Sequence, residues 1–471
     1  MSRVPILDTA DRLRQTMPED FGDGVLTSIF DDAARIARGS VSSPTDLAAS
    51  RRPSLDQVLD RALTHRVWGF LVMGALFFAV FWFTIAGAAL PSGLLYVVLV
   101  DGGHTVLRDG FEVLGAPWWI TGLLIDGVYL STAWVVAVML PPMAIFFPIF
   151  TLLEDFGYLP RVAFNLDRLF AGAGAHGKQS LTMMMGYGCN AAGVTATRII
   201  DSPRERLIAV ITNNFSVCNG RWPTLILMGT VFIGSLAPPA LAGVLAAGSV
   251  VLVAVLGIVT TLAVSWLLSH TLLRGETSLY SLELPPYRPP QVWRTIHTSL
   301  VDRTLKVLRR ALVMAAPAGA VVWLLGNVEV GGEQLAGHLV TGLDPVGWVL
   351  GINGIILLAY LVAIPANEIV IPTVLMLTLT LNHPASDAAA GVMLDMGDAE
   401  AGTVLVGVGG WTLLTAVNLM LFCLLHNPCS TTMLTIWRET GSLKWTLIAT
   451  FLPLSLACVT TAATAALWRY V

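Results

Sequence analysis

Four short polar segments interrupt long apolar stretches of this sequence. They are residues 186–190, 213–220, 364–369 and 426–429. Each combines glycine or proline with thiol, amide, imidazole or carboxylate side chains. In hydrocarbon every backbone polar group needs a partner, so broken helices occur there only where they line a cavity or pack inside protein. The segments therefore indicate a polar site inside a membrane protein.

The donor types in these segments suit a borderline transition-metal ion. Glu368 is the most informative residue, because a carboxylate inside a membrane is costly and usually faces a cavity or an ion path. The alternative is a protonated or paired structural glutamate. Thiol, amide and carboxylate together favour a transition ion over sodium or magnesium, which prefer oxygen ligands. We predict a metal site formed by Cys189, Asn190, Cys218, Asn367, Glu368 and Cys429.

Four more polar residues are candidates for accessory roles: Glu154, Asp155, Asn214 and His426. The two carboxylates end a predicted span, where they either exchange cations or only terminate the helix. The imidazole precedes Cys429 by three residues and is either a ligand or a hydrogen-bonded core residue. Cys423 and Cys458 are more simply explained as small apolar residues.

Composition restricts the class of protein. Of 471 residues, 55% are hydrophobic and only 12% are charged, about half the charged fraction of a soluble domain. An odd number of cysteines in apolar segments is not a disulfide framework. No nucleophile–base pair or cofactor motif indicates an enzyme, and no basic patch indicates nucleic acid. The segment 172–179 nearly fits a phosphate-binding loop, but Gln179 replaces the required hydroxyl residue.

Loop charge predicts the topology. Residues 274–310 hold seven basic and three acidic residues, whereas 328–346 and 382–404 carry carboxylates without Lys or Arg. Basic loops are expected in the cytoplasm, which also places the N-terminus there because no signal peptide opens the chain. The predicted parts are a cytoplasmic helical segment (1–66), a first span with an external amphipathic segment (67–126), a first half (127–273), a cytoplasmic loop (274–310) and a second half (311–471).

Both halves have the same predicted order: a span, a re-entrant segment and two further spans. The second half has the opposite sense, so we predict an all-α polytopic membrane protein built as an inverted repeat with its polar breaks near the midplane. The predicted spans are 67–90, 127–153, 207–233, 240–273, 311–327, 404–436 and 445–467, with re-entrant segments at 181–200 and within 348–381, the latter interrupted at Pro365 and Pro372.

Several motifs in order resemble the membrane region of the bacterial ferrous-iron transport protein B family (FeoB), from about residue 26 to the C-terminus. They are LEDFGYLPR (153–161) with AFNLDR (163–168), GYGCN (186–190) with ATR (196–198), PRERL (203–207), LELPPYR (282–288) and RETGSLKW (438–445). The resemblance implies a metal(II) permease in which the two halves are gate domains. It also implies that Cys189, Cys218 and Cys429 line the pore, with Asn367 and Glu368 at the corresponding break of the second gate.

The sequence also departs from the family pattern. Members typically begin with a GTP-binding domain, and we find no P-loop or NKxD motif here. We expect energy coupling to be absent, supplied by another chain, or replaced by the membrane potential. Ala-Ala stands at 191–192 where many members have Val-Pro, and NGRWP at 219–223 where many have GARLP. These changes leave the metal preference open.

We therefore expect a permease that imports Fe(II) or a similar divalent transition metal across the bacterial cytoplasmic (inner) membrane. It would hold no permanent cofactor. Its expected partners are the lipid bilayer and the transported ion, with a separate cytoplasmic GTPase, a small accessory protein or a second copy of the chain as further candidates. The alternatives are a permease for nucleosides or other organic solutes, and a non-transporting membrane partner of a separate GTPase.

Overall fold

The computed structural model describes residues 21–40, 55–65, 67–275, 287, 291–382 and 397–470. The predicted linker between the two N-terminal helices, most of the motif at 282–288 and most of the 382–404 loop lie outside these residues. Six helices in the described part are long and apolar enough to cross a membrane, or seven if one bent pair counts as a span. The described residues are largely helical, with one two-stranded antiparallel hairpin. The chain is an all-α polytopic membrane protein, as predicted.

The N-terminal part and the first half contain twelve helices in the described residues, several of them extended by short π-helical or 3₁₀ turns. They are α1 (Phe21–Ser40), α2 (Leu55–Leu63), α3 (Trp68–Tyr96), α4 (His104–Val113), α5 (Trp118–Thr121), α6 (Leu130–Asp155), α7 (Tyr158–Gly172), α8 (Lys178–Gly188), α9 (Asn190–Ala196), α10 (Pro203–Thr212), α11 (Trp222–Met228) and α12 (Pro239–His270).

The second half and the segment leading into it contain nine helices in the described residues. They are α13 (Val292–Thr298), α14 (Leu305–Asn327), then the hairpin β1 (Glu329–Val330) and β2 (Glu333–Gln334), α15 (Leu335–Leu350), α16 (Gly354–Val362), α17 (Val370–Asn382), α18 (Asp398–Thr403), α19 (Leu413–Leu425), α20 (Ser430–Thr440) and α21 (Leu443–Tyr470).

The same order of elements occurs in both halves: a long helix, a shorter helix, a broken helix pair, a broken span and a long helix. The first long helices, α6 and α14, run antiparallel. Gly127, just before α6, packs against Gly319 of α14, while Thr151 near the other end of α6 accepts a 2.9 Å hydrogen bond from Arg303, just before α14. An inverted repeat requires this relation, although the orientation of each half in the membrane stays a prediction.

The predicted boundaries of the second half need three corrections. The helix predicted at 311–327 begins at residue 292, and the basic residues assigned to a loop form its first turns. Residues 328–346, predicted as a loop, form the β-hairpin and most of α15. Pro372 does not interrupt a helix, since it lies in the first turn of α17, where proline is tolerated.

A break that the sequence analysis missed lies between α15 and α16, which meet at 107°. Gly351 ends α15 with φ +68°, a conformation that glycine adopts without strain. Asn353 then caps α16, its side chain accepting a 2.9 Å hydrogen bond from the Ile356 amide.

The spans predicted in the first half also differ in length and continuity. The helix predicted at 67–90 continues to residue 113, and the one predicted at 127–153 begins at residue 118. Residues 207–233 do not form a continuous span, because the polar segment 213–221 separates α10 from α11.

Helix α2 is fixed to the first half by a buried polar contact. The Asp60 carboxylate accepts hydrogen bonds from Arg161 Nε (3.0 Å) and from the Tyr287 hydroxyl (2.9 Å). Arg161 is 1% exposed, and its guanidinium lies 4.0 Å from the Tyr287 ring centroid. Burial and the hydrogen bond to Asp60 raise the pKa of Tyr287 to about 12, so the phenol remains a donor at neutral pH. The contact holds the N-terminal segment against α7.

Candidate metal-binding site

The four polar breaks meet at one small cavity of about 30 Å³. A water molecule needs roughly 10–15 Å³ of such space, so the cavity has room for one ion or about two waters. All six residues predicted as ligands line it. They are Cys189, Asn190, Cys218, Asn367, Glu368 and Cys429. The sequence analysis therefore identified residues that the fold brings to one place, although their role as ligands stays a prediction.

In the first half, two breaks are joined by amide contacts. Cys189 has an extended backbone (φ −155°, ψ 123°) between α8 and α9, which stops the helix at that residue. The Asn213 side chain donates a 2.9 Å hydrogen bond to the carbonyl of Asn190. With its side-chain nitrogen facing these groups, Asn190 donates hydrogen bonds to the carbonyls of Gly186 (3.0 Å) and Ser216 (3.1 Å). These contacts satisfy backbone groups that the break leaves free.

Arg221 joins the two halves beside the cavity. Its side chain is fully buried and donates to the carbonyls of Asn214 (2.8 Å), Leu424 (3.1 Å) and His426 (3.3 Å). The guanidinium thus caps the carbonyl end of α19, a favourable position for a cation. The same side chain also contacts the Asn214 amide oxygen at 3.1 Å. Arg221 therefore fixes the break at 426–429 against the break at 213–220.

Glu368 lies directly against the backbone of the first half. A Cβ atom added to Gly220 would be 2.6 Å from the Glu368 carboxyl carbon and from one of its oxygens. The absence of a side chain at Gly220 therefore lets the carboxylate cross from the second half into the shared cavity. This close approach brings a predicted ligand of the second half against the backbone of the first.

The predicted accessory residues do not line this cavity. His426 has Nδ1 2.8 Å from the Cys423 carbonyl and Nε2 3.3 Å from Asn367 Oδ1, so it supports a cavity residue from behind. Asn214 donates to the His426 carbonyl at 2.7 Å. At a distance from the site, Glu154 pairs with an arginine and Asp155 accepts a 2.6 Å hydrogen bond from a threonine.

The conformation is not that of a closed metal centre. Within the described residues, no group of three or more His, Cys, Asp or Glu side chains is arranged to hold a metal ion. Three thiols and one carboxylate share the cavity without converging on a common point. A bound ion would therefore need either a small inward movement of these side chains or ligands from amide and backbone oxygens.

A much larger cavity of about 1060 Å³, here called the vestibule, lies between the two halves. Four helices line both cavities. On each of them the two lining residues are three or four positions apart, which is about one helical turn, so they lie on the same face. The paired lining residues, small cavity first, are Met143 and Phe147 on α6, Gly188 and Met185 on α8, Ala311 and Val307 on α14, and Thr432 and Thr435 on α20. The small cavity therefore lies at the inner end of the vestibule.

Several residues beside the site were not assigned a role from the sequence. Met139 and Met143 of α6 line the cavity and add thioethers to its wall. Tyr187 and Trp222 stack at 6.5 Å next to it. Arg221 could have been predicted from the sequence, because an ionisable residue within an apolar membrane stretch usually indicates a functional site.

Comparisons with known proteins match separate parts of the chain. Residues 136–232 match the family model Gate, described as "Nucleoside recognition". Residues 250–303 match the model described as "Ferrous iron transport protein B C terminus". The first model covers α8 to α11, which contain both breaks of the first half.

Curated relatives match over most of the chain. The Fe(2+) transporter FeoB of Staphylococcus aureus (strain MSSA476) is 28% identical over 416 residues, covering 86% of this chain and 58% of that protein. The Fe(2+) transporter FeoB of Synechocystis sp. is 27% identical over 456 residues, covering 95% and 69%. A fusion of Fe(2+) transport protein A with FeoB from Porphyromonas gingivalis is 26% identical over 450 residues, covering 86% and 51%. No solved structure matches at a comparable level of significance.

Proposed function

We propose that the chain, which is similar to the membrane region of FeoB proteins, is a permease importing Fe(II), or a similar divalent transition metal, across the cytoplasmic membrane. The observation that carries the proposal is the convergence of six candidate ligands from four separate breaks on one cavity at the inner end of a vestibule. The relatives are named Fe(2+) transporters rather than enzymes. The chain spans 58% of the first of them, so the proposal concerns the membrane region.

The donors at the cavity fit the chemistry of a partly dehydrated transition ion. Cys189, Cys218 and Cys429 supply sulfur ligands, Asn190 and Asn367 amide oxygens, and Glu368 a compensating charge. Such a mixed set favours a borderline ion over calcium or magnesium.

The size of the site also distinguishes the proposal from an organic-solute permease. A cavity of about 30 Å³ is an order of magnitude below the roughly 300–1,000 Å³ typical of pockets for organic ligands. A nucleoside therefore has no room among the breaks in this conformation, whereas a single ion does.

The membrane potential is a sufficient driving force for this reaction. Moving two charges through 100 mV releases about 4.6 kcal/mol, equivalent to a concentration gradient of more than a thousandfold. In our proposal an N-terminus in the cytoplasm and an inward direction follow the loop charges. A separate GTPase or an accessory protein would then adjust the rate, and the relative fused to transport protein A makes an accessory protein a reasonable partner.

Uptake of radiolabelled Fe(II) into proteoliposomes, under reducing conditions and an inside-negative potential, tests the proposal. We expect wild-type protein to accumulate iron. The Cys218→Ser and Glu368→Gln variants should take up iron at least about tenfold more slowly, since each lacks one proposed ligand. Cys458→Ser is the matched control, because Cys458 lies on α21 and does not line the cavity.

Two results would contradict the proposal. One is uptake no greater than in empty liposomes by folded protein, with Mn(II) and Zn(II) tested as well. The other is full transport activity of both cavity variants, which would show that transport does not pass through the proposed site.

A further inference from the structure

The vestibule carries more positive than negative charge. Six cationic side chains line it against three carboxylates, and one of the cations, Lys178, is paired at 2.8 Å with Asp201 outside the lining. The cations are Lys178, Arg198, Arg303, Lys306, Arg310 and Arg438, and the carboxylates are Glu154, Asp302 and Glu439. This is an unexpected lining for the space next to a proposed cation site, because it opposes the presence of a free divalent cation.

All three carboxylates are already engaged in ion pairs. Glu439 accepts two hydrogen bonds from Arg198, at 2.9 and 2.7 Å, and a third from Arg206 at 3.1 Å. Glu154 lies 3.5 Å from a guanidinium nitrogen of Arg303. The third carboxylate pairs with the lysine one turn along its own helix, at 2.7 Å. The lining therefore has no free carboxylate to balance further cations.

Two arginines remain without a partner. In the part of the chain that the structure describes, neither Arg310 of α14 nor Arg438 of α20 forms an ion pair or a hydrogen bond. Arg310 is half-buried and Arg438 is exposed, on helices that pack against each other. Both line the vestibule, so their charges act on the same open cavity. In a cavity with apolar walls, such like charges reinforce one another and attract counter-ions.

We propose that the vestibule binds a phosphate-bearing anion through Arg310 and Arg438. The planar guanidinium forms two parallel hydrogen bonds with phosphate oxygens, which makes arginine better suited than lysine to this ligand. A volume of about 1060 Å³ accommodates a polyphosphate or a lipid headgroup. The bound anion neutralises the excess charge and offers oxygen ligands to a cation leaving the small cavity.

The phosphate group has two sources. One is a soluble compound such as pyrophosphate or a nucleotide, and the other is an anionic phospholipid, since basic pockets between membrane helices bind such headgroups. The inference does not depend on metal transport, because anion binding is measured without a metal and without a gradient.

The experiment uses the full chain in nanodiscs. Equilibrium dialysis with radiolabelled pyrophosphate in phosphatidylcholine nanodiscs measures the soluble source. Retention of radiolabelled phosphatidylglycerol through repeated exchange into phosphatidylcholine measures the lipid source. Arg310→Gln and Arg438→Gln are compared with Arg309→Gln, which removes an equal charge from the neighbouring residue that does not line the vestibule. Size-exclusion profiles establish that each variant is folded.

We expect each vestibule variant to weaken binding about tenfold, the effect of one lost charged hydrogen-bond pair, and the control to bind as wild type does. Pyrophosphate binding with this pattern assigns a soluble ligand. Phosphatidylglycerol retention with this pattern, without pyrophosphate binding, assigns a lipid. No binding in either arm, or an equal loss in Arg309→Gln, overturns the proposal and leaves the proposed transport function to its own assay.

Discussion

Replacing Gly220 by alanine separates the geometry of the site from the stability of the fold. The added Cβ would lie 2.6 Å from the Glu368 carboxyl carbon, whereas carbon atoms in ordinary contact are about 3.5 Å apart. The carboxylate must therefore retreat by about 0.9 Å. Metal–oxygen distances vary by only about ±0.2 Å, so a carboxylate held back this far cannot make the inward movement that binding an ion through it requires.

The same substitution has little structural cost. The clash is with the end of a flexible side chain, and Gly220 does not have the positive φ that would exclude alanine. A compatible Gly→Ala change stabilises a protein by about 0.4–1 kcal/mol through the unfolded state. We therefore expect an unchanged or slightly raised melting temperature together with Fe(II) affinity weakened by about 10- to 100-fold, the range typical for loss of a metal-site contact.

Anaerobic equilibrium dialysis with radiolabelled Fe(II) measures the affinity, and differential scanning fluorimetry measures the melting temperature. Gly248→Ala is the control, because that glycine lies on α12 with no atom within 4 Å of the added Cβ. Wild-type affinity in Gly220→Ala would refute the reasoning, since it would show that the close approach of Glu368 to Gly220 is not needed to bind the ion. A large fall in melting temperature would show that the carboxylate cannot move aside.

Two further predictions concern the scaffold. Asp60→Asn should lower the free energy of unfolding by about 2–4 kcal/mol, because it leaves the charge of buried Arg161 without its anion. Asp32→Asn, in an exposed pair, should change it by less than about 1 kcal/mol. Chemical denaturation in detergent compares the two variants, and equal effects would contradict the structural role of Asp60. Gly319→Ala should destabilise the fold by about 1–3 kcal/mol, since the added Cβ would overlap the backbone of the first half. Gly326→Ala is the control, because its added Cβ meets its nearest atom at 3.8 Å. Similar melting temperatures for the two variants would show that the helices separate easily.

The sequence located the site because its residues violate a local rule. Glycine, proline and amide residues within apolar stretches mark places where a membrane helix cannot continue, and Cys189 and Glu368 were found by that criterion. The break between α8 and α9 follows from the same signal. The break at 351–353 was not predicted, because interruptions of the stretch 348–381 were expected only at its prolines, Pro365 and Pro372, and not at Gly351 and Asn353.

Contacts between distant parts of the chain could not be predicted from one sequence. Arg221 bonds to carbonyls more than 200 residues away, and Arg198 pairs with Glu439 across 241 residues. No local pattern predicts such partners, although each residue is conspicuous as a charge. The contact between Gly220 and Glu368 is of the same kind, since its importance lies in an absent side chain facing the other half.

The close packing of Gly127 against Gly319 is a point about which the two long helices could tilt. They touch backbone to backbone at one end of the 26-residue α6, while Phe147, Phe150 and Glu154 near its other end line the vestibule. At 1.5 Å per residue the lever is about 39 Å long, so a tilt of about 5° at the glycine contact moves the far end by about 3 Å. That displacement exceeds the diameter of a water molecule. Because Arg303 and Thr151 are hydrogen-bonded near that far end, a tilt of this size requires their 2.9 Å bond to break before the mouth can admit a hydration shell.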